Sequence, residues 1–220
     1  MFSAFSGSKS PTFTPAPVAP MLPETLEKKD GTTVNTKEAL AGKIVALYFS
    51  SSWCGACLRM TPILHAMHEE AVDEDKPFEV VFVSSDDSDA EMKSYHRNHH
   101  GDWLRIAYGD KVRNELKRYH GAFAGAEARL FPGAKRLSGI PTVLLVGPNG
   151  EKLQHLDCDG GPGKRLIQSK GAQLVDEWVA KGWAWPRSEA AKASSPNSSS
   201  DSFLTAAAER SRDAAVAAAK

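Results

Sequence analysis

Two cysteines, Cys54 and Cys57, stand three positions apart in the run Trp53-Cys54-Gly55-Ala56-Cys57. A thiol reacts as its thiolate, and one with an ordinary pKa of about 8.5 is mostly protonated at neutral pH. Something must therefore favour the negative sulfur. The apolar run Lys43 to Phe49 before the pair has the length of a buried strand, and Leu58 to Glu70 after it reads as a helix. That puts Cys54 in a helix's first turn, where free N–H groups and the positive end of the dipole stabilise negative charge. Cys57 faces the same side, and its Cα falls within the ~4.4–6.8 Å a disulfide tolerates. The assignment is Cys54 as nucleophile on a substrate disulfide and Cys57 as the resolving thiol. Trp53 would shield the outer sulfur.

A lone Cys-x-x-Cys is also half of a zinc site. No second such pair exists, and the remaining candidate ligands are His96, His99, His100 and Cys158. The cluster His96-Arg97-Asn98-His99-His100 is expected at a helix end in solvent. The redox reading is the preferred one. Cys158 reads as a lone thiol, with glutathionylation as the sharper alternative.

The bulk numbers narrow the class. The chain has 220 residues, 41% hydrophobic and 25% charged, with zero formal net charge. No basic field points to nucleic acid or an anionic membrane. No apolar stretch approaches the ~20 residues of a membrane span. Three cysteines are an odd count, which argues against a secreted disulfide framework. Met1 to Pro20 lacks a secretion-signal pattern, so the expected location is cytoplasmic.

The supporting elements follow in order. Residues 1–21 read as a disordered tail. Thr32 to Val34 suits a strand, and Thr36 caps a short helix through Ala41. After the strand Ile44 to Phe49 comes a helix from about Cys54 to Val72, kinked at Pro62, with Ile63, Leu64, Met67 and Val72 inward. Phe78 to Val83 is a strand and Ala90 to His96 a helix. Trp103 to Tyr108 is a short strand or extended loop. A helix over Lys111 to Tyr119 sets Val112, Leu116 and Tyr119 on one face. Residues 121–138 hold no clear periodicity and read as an insertion loop. Ile140 to Val146 and Glu151 to Leu156 form a hairpin about Gly147-Pro148-Asn149-Gly150. Asp159 to Gly163 is a flexible loop. Gln173 to Lys181 is a helix with Leu174, Trp178 and Val179 inward. Residues 187–220 form a Ser- and Ala-rich tail, partly helical. The order implies an α/β fold, with a central mixed sheet flanked by helices on both faces.

Trp53-Cys54-Gly55-Ala56-Cys57, with Pro62 behind it and Ile140-Pro141-Thr142 before the hairpin, resembles the thioredoxin superfamily. Tyr48 to Cys54, Phe78 to Ser84, Trp103-Leu104 and Trp183-Ala184-Trp185-Pro186 look more narrowly like its tryparedoxin and nucleoredoxin branch. The likeness covers residues 22–186 and implies a thioredoxin-like domain there. It implies that Pro141 follows a cis peptide bond and lies against the active-site disulfide, and that Ile140 offers its backbone to an extended substrate. Trp53, Gly55 and Ala56 would complete that binding surface. The implied activity is thiol–disulfide exchange on protein disulfides, such as those of peroxidases, with the Cys54–Cys57 disulfide as the redox group and no metal or organic cofactor. Electrons would come from a trypanothione-, glutathione- or thioredoxin-reductase-type dithiol donor. The alternative is a thioredoxin-fold interaction module or redox sensor without turnover.

Four departures from that pattern matter. Gly55-Ala56 replaces the branch's two prolines, and Ala56 restores a backbone N–H near the sulfur. Tyr48 stands where thioredoxins proper carry a buried aspartate. Ser85-Asp86-Asp87 keeps the branch's acids and loses its aromatic. Residues 121–138 are extra, and are expected to wall one side of the substrate groove.

Overall fold

The two central strands explain most of the architecture. In the computed structural model, which describes residues 18–187, every residue of β3 (Ile44–Ser50) and β4 (Phe78–Ser84) is buried. A near-continuous apolar run suits such strands, because both faces of the sheet are covered. They pair in parallel from Ile44 opposite Phe78 to Ser50 opposite Ser84. On the other side of β3, β6 (Thr142–Val146) runs antiparallel, followed by β7 (Lys152–Asp157). Beyond β4 lie β5 (Leu104–Arg105), β1 (Thr25–Glu27) and β2 (Thr33–Asn35), giving the order β2-β1-β5-β4-β3-β6-β7.

Alternate residues sort to the two faces. Ile44, Ala46, Tyr48, Phe78, Val80 and Phe82 pack with α2 (Gly55–Asp73), α3 (Asp89–His99), α5 (Pro162–Lys170) and α6 (Gln173–Ala180). Val45, Leu47, Phe49, Val81 and Val83 pack with α1 (Thr36–Leu40) and α4 (Lys111–His120). This is the mixed sheet with helices on both faces that the element order implied. The expectations for residues 1–17 and 188–220 lie outside the described residues.

Several expectations need correction. Asn35, not Thr36, caps α1, its side chain accepting the Glu38 amide at 3.2 Å. Val72 is 56% exposed, whereas Leu64 and Met67 are buried as expected and Met60 and Ala71 join them in the buried stripe of α2. Val179 and Tyr119 also face outward, while Val175 and His120 turn in. Leu116, Leu174 and Trp178 are buried as expected, so on each helix only the last apolar residue of the stripe departs from the expectation. The segment expected to be a flexible loop turns at Pro162 into α5, whose first position suits a residue lacking an N–H.

The histidine cluster is the largest correction. α3 runs three residues further than expected, capped by Ser88, and its far end is turned to the sheet. His96 and His100 are buried, and only Arg97, Asn98 and His99 are exposed. Arg105 reaches between β1 and α3, with Nε 2.8 Å from Glu27 Oε2 and Nη1 2.8 Å from His96 Nδ1. Arginine can only donate, so His96 Nδ1 is an acceptor. The Trp103 indole donates to His100 Nδ1 at 3.0 Å. Burial pushes the His96 pKa down to about 3 and holds that of His100 well below the ordinary range. Both rings are neutral packing elements.

Residues 121–138 form a closed loop containing a 3₁₀ helix, Gly125–Leu130. The Leu137 and Ser138 amides donate to the Gly121 carbonyl at 2.8 and 3.1 Å, which fastens the base. Gly121 ends α4 at φ 62°, and a Cβ there would collide with the Lys135 carbonyl, so only glycine fits. Phe123 and Phe131 are buried against each other, with ring centroids 4.9 Å apart.

Candidate active site

The β3–α2 connection and the first turn of α2 carry both cysteines of the pair. Cys54 is the N-cap of α2, and Cys57 lies in the helix's first turn. The two are disulfide-bonded, with Cα atoms 5.1 Å apart. Cys57 is fully buried, whereas Cys54 retains 8% exposure. The outer sulfur is thus the one a substrate can reach. The Cys57 amide donates to Cys54 Sγ at 3.1 Å. This is a first-turn N–H aimed at the atom that carries the charge when the pair is reduced. The hydrogen bond to the sulfur is made by the Cys57 amide, and the N–H that Ala56 restores belongs to the same first turn.

The neighbouring positions are equally specific. Cys54 Sγ lies 3.5 Å from the Ile140 carbonyl oxygen, and the Ile140–Pro141 peptide is cis. Ile140 is buried. The Thr142 hydroxyl is 2.9 Å from the Gly139 carbonyl, and the Cys158 amide donates to the Pro141 carbonyl at 3.2 Å. Both contacts fix the backbone opposite the disulfide. A Cβ on Gly55 would make only an ordinary 3.6 Å contact with Arg59, so the site does not require glycine there.

Trp53 is 47% exposed beside Cys54, and its indole donates to the Ser85 carbonyl at 3.0 Å. Asp86 holds the loop beneath it. Its Oδ1 accepts from the Ser52 amide at 2.7 Å and the Ser51 hydroxyl at 3.0 Å, and its Oδ2 from the Ser84 hydroxyl at 2.7 Å. The sequence marked Asp86 as an acid that the branch shares. It did not show that one oxygen would hold the loop before Cys54 while the other is tied to Ser84 at the end of β4.

Below Cys57 lies a network of hydroxyl groups. Thr61 Oγ1 is 2.9 Å from the Cys57 carbonyl, 2.9 Å from the Tyr48 hydroxyl and 2.6 Å from the Tyr95 hydroxyl. Ser50 Oγ is 3.0 Å from the Tyr95 hydroxyl. One proton arrangement satisfies all four groups: Ser50 donates to Tyr95, both tyrosines donate to Thr61, and Thr61 donates to Cys57. Burial raises the pKa of Tyr48 and Tyr95, so both remain phenols at neutral pH. Tyr48 therefore puts a neutral hydroxyl where thioredoxins proper carry a carboxylate. Thr61 and Tyr95 were missed from sequence, having no pattern of their own.

Cys158 is buried and free, and burial pushes its thiol up to about 12. Such a thiol holds almost no thiolate at neutral pH and is a poor target for modification. Among the described residues, no group of three or more His, Cys, Asp or Glu is placed to hold a metal ion.

A cis-proline segment facing a cysteine pair at a helix N-terminus, on a mixed sheet of this order, defines a thioredoxin fold. A family model described as Thioredoxin-like matches residues 42–152. The chain is 28% identical over 158 residues to nucleoredoxin from Bos taurus, covering 67% of this chain and 32% of that protein. Among solved structures, a thioredoxin from Wuchereria bancrofti is 32% identical, with a TM-score of 0.52 and 76% of this chain and 99% of that one covered. Tryparedoxin from Trypanosoma brucei is 26% identical, with a TM-score of 0.51 and coverages of 69% and 90%. The chain belongs to the thioredoxin-like family, in its tryparedoxin- and nucleoredoxin-like branch. It spans about a third of the length of the nucleoredoxin it matches.

Proposed function

We propose that the chain is a thiol–disulfide oxidoreductase that reduces protein disulfides. The observation that carries this reading is the position of Cys54. It caps a helix, accepts an amide at its sulfur, keeps a small exposed surface and faces the Ile140–Pro141 backbone. In the reduced enzyme the Cys54 thiolate attacks one sulfur of a substrate disulfide. The S–S bond breaks, one substrate thiolate leaves, and a mixed disulfide forms. Cys57 then loses its proton and attacks Cys54 Sγ. The second substrate thiol leaves, and the Cys54–Cys57 disulfide closes. A dithiol donor of trypanothione, glutathione or thioredoxin-reductase type gives two electrons and two protons to reopen it. Trp53, Gly55, Ala56, Ile140 and Pro141 form the surface on which the substrate lies. No metal or organic cofactor enters this cycle. A reducing compartment such as the cytoplasm keeps it turning, and peroxidase disulfides are fitting substrates.

Insulin reduction driven by dithiothreitol tests the reading. Wild-type protein should accelerate precipitation of the insulin B chain, and Cys54→Ser should not. Equal rates for both would leave the interaction-module alternative standing.

A further inference from the structure

The insertion reaches the rim of the site through one carboxylate. Glu127, in the 3₁₀ helix, uses both oxygens. Its Oε1 lies 2.6 Å from Lys117 Nζ, and its Oε2 accepts from the Ala124 amide at 2.9 Å and the Ser85 hydroxyl at 2.8 Å. The Lys117 side chain is only 1% exposed and that of Glu127 13%. A buried ammonium is costly without a partner, and this requirement pins Glu127 in place.

Ser85 carries the link onward. Its hydroxyl is held by Glu127, its amide donates to the Ser50 carbonyl at 2.8 Å, and its carbonyl accepts the Trp53 indole. Trp53 is the large exposed side chain next to Cys54. A path of three direct contacts therefore runs from Lys117 through Glu127 and Ser85 to the aromatic beside the nucleophile.

We propose that Glu127 is a positioning residue for disulfide exchange: by fixing Ser85 it fixes the carbonyl that holds Trp53, and so sets the face a protein disulfide meets beside Cys54. The inference rests on the oxidoreductase reading for its consequence in turnover. Its structural half stands apart from that reading. A merely structural Glu127, there to neutralise Lys117, would leave Trp53 indifferent to the Ser85 hydroxyl.

The Trp53 indole N–H resonance, assigned by its loss in Trp53→Phe, is the direct readout. Ser85→Ala cuts the link but keeps the ion pair, so it decides the matter even if Glu127→Ala leaves Lys117 bare and fails to fold. Ser85→Ala and Glu127→Ala should both shift this resonance and speed its exchange with solvent. Glu127→Gln, which retains an acceptor oxygen, should shift it less. Loss of one hydrogen bond's worth of ordering predicts a rise in KM for insulin of roughly three- to tenfold, with kcat moved by less than about twofold. An unmoved indole resonance and unmoved KM in Ser85→Ala would overturn the proposal. If wild-type protein does not reduce insulin, the oxidoreductase reading fails, and the indole shift still decides whether Glu127 positions Trp53.

Discussion

Asp86 Oδ1 lies 2.7 Å from the Ser52 amide nitrogen, and through this contact the end of β4 grips the loop that carries Trp53 and Cys54. The same carboxylate takes the Ser51 and Ser84 hydroxyls. It is buried, and three donors converge on it. A carboxylate so placed pre-forms the approach to the helix N-terminus at which Cys54 is the cap.

Removing that grip should be costly. Hydrogen bonds to a charged group are worth more than neutral ones, and their loss strands buried donors, so Asp86→Ala should destabilise by about 3 kcal/mol. Asp86→Asn keeps an acceptor oxygen and should cost less. Urea unfolding measures both, and an unchanged midpoint in Asp86→Ala would remove Asp86 from the account.

Stability should fall in mild acid because of the buried histidines. Burial pushes the pKa values of His68 and His120 down to about 4 and that of His96 to about 3, and His100 lies well below its ordinary range. In the unfolded chain these groups take up protons near pH ~6.5. Between there and about pH 4 the unfolded state binds more protons, so stability is full above the unfolded value and declines as pH falls. Each such proton contributes about 1.4 kcal/mol per pH unit. Urea midpoints measured from pH 7.5 down to 5 should fall steadily. A flat profile would mean that these rings are not held neutral.

The residues between the cysteines set a smaller effect. The Cys57 amide at Cys54 Sγ survives in Ala56→Pro, while one first-turn N–H disappears. A helix-end interaction of ~0.3–1 kcal/mol corresponds to a rise in the Cys54 pKa of about half a unit. Thiolate absorbance followed against pH reads this. A wild-type Cys54 pKa above that of the variant would contradict the helix-terminus argument.

Much of this is legible in residue types and their spacing alone. The runs Ile44 to Phe49 and Phe78 to Val83 are apolar throughout because both faces are covered, and the turn at Gly147 to Gly150 marks the hairpin. Cys54, Cys57 and Pro141 carry their meaning in residue type and spacing. Helix faces were less legible at their ends, since Val175 and Val179 are alike in type and one turn apart, yet only Val175 is buried. His96 and His100 looked solvated because they are polar. Their spacing of four, in line with Met92, was the signal that they share the buried face. Thr61, Tyr95, Ser85 and Glu127 could not be read, because each acts through a partner between 34 and 45 residues away, and only the tertiary fold supplies that partner.

The central claim is that Cys54 attacks and Cys57 resolves, and trapping the mixed disulfide tests it most directly. Reduced Cys57→Ser, mixed with insulin and quenched in acid, should carry one covalent adduct by intact mass, mapped to Cys54 and released by dithiothreitol. Cys54→Ser under the same conditions should carry none. An adduct on Cys57 or Cys158 in Cys54→Ser, with none on Cys54 in Cys57→Ser, would contradict the account.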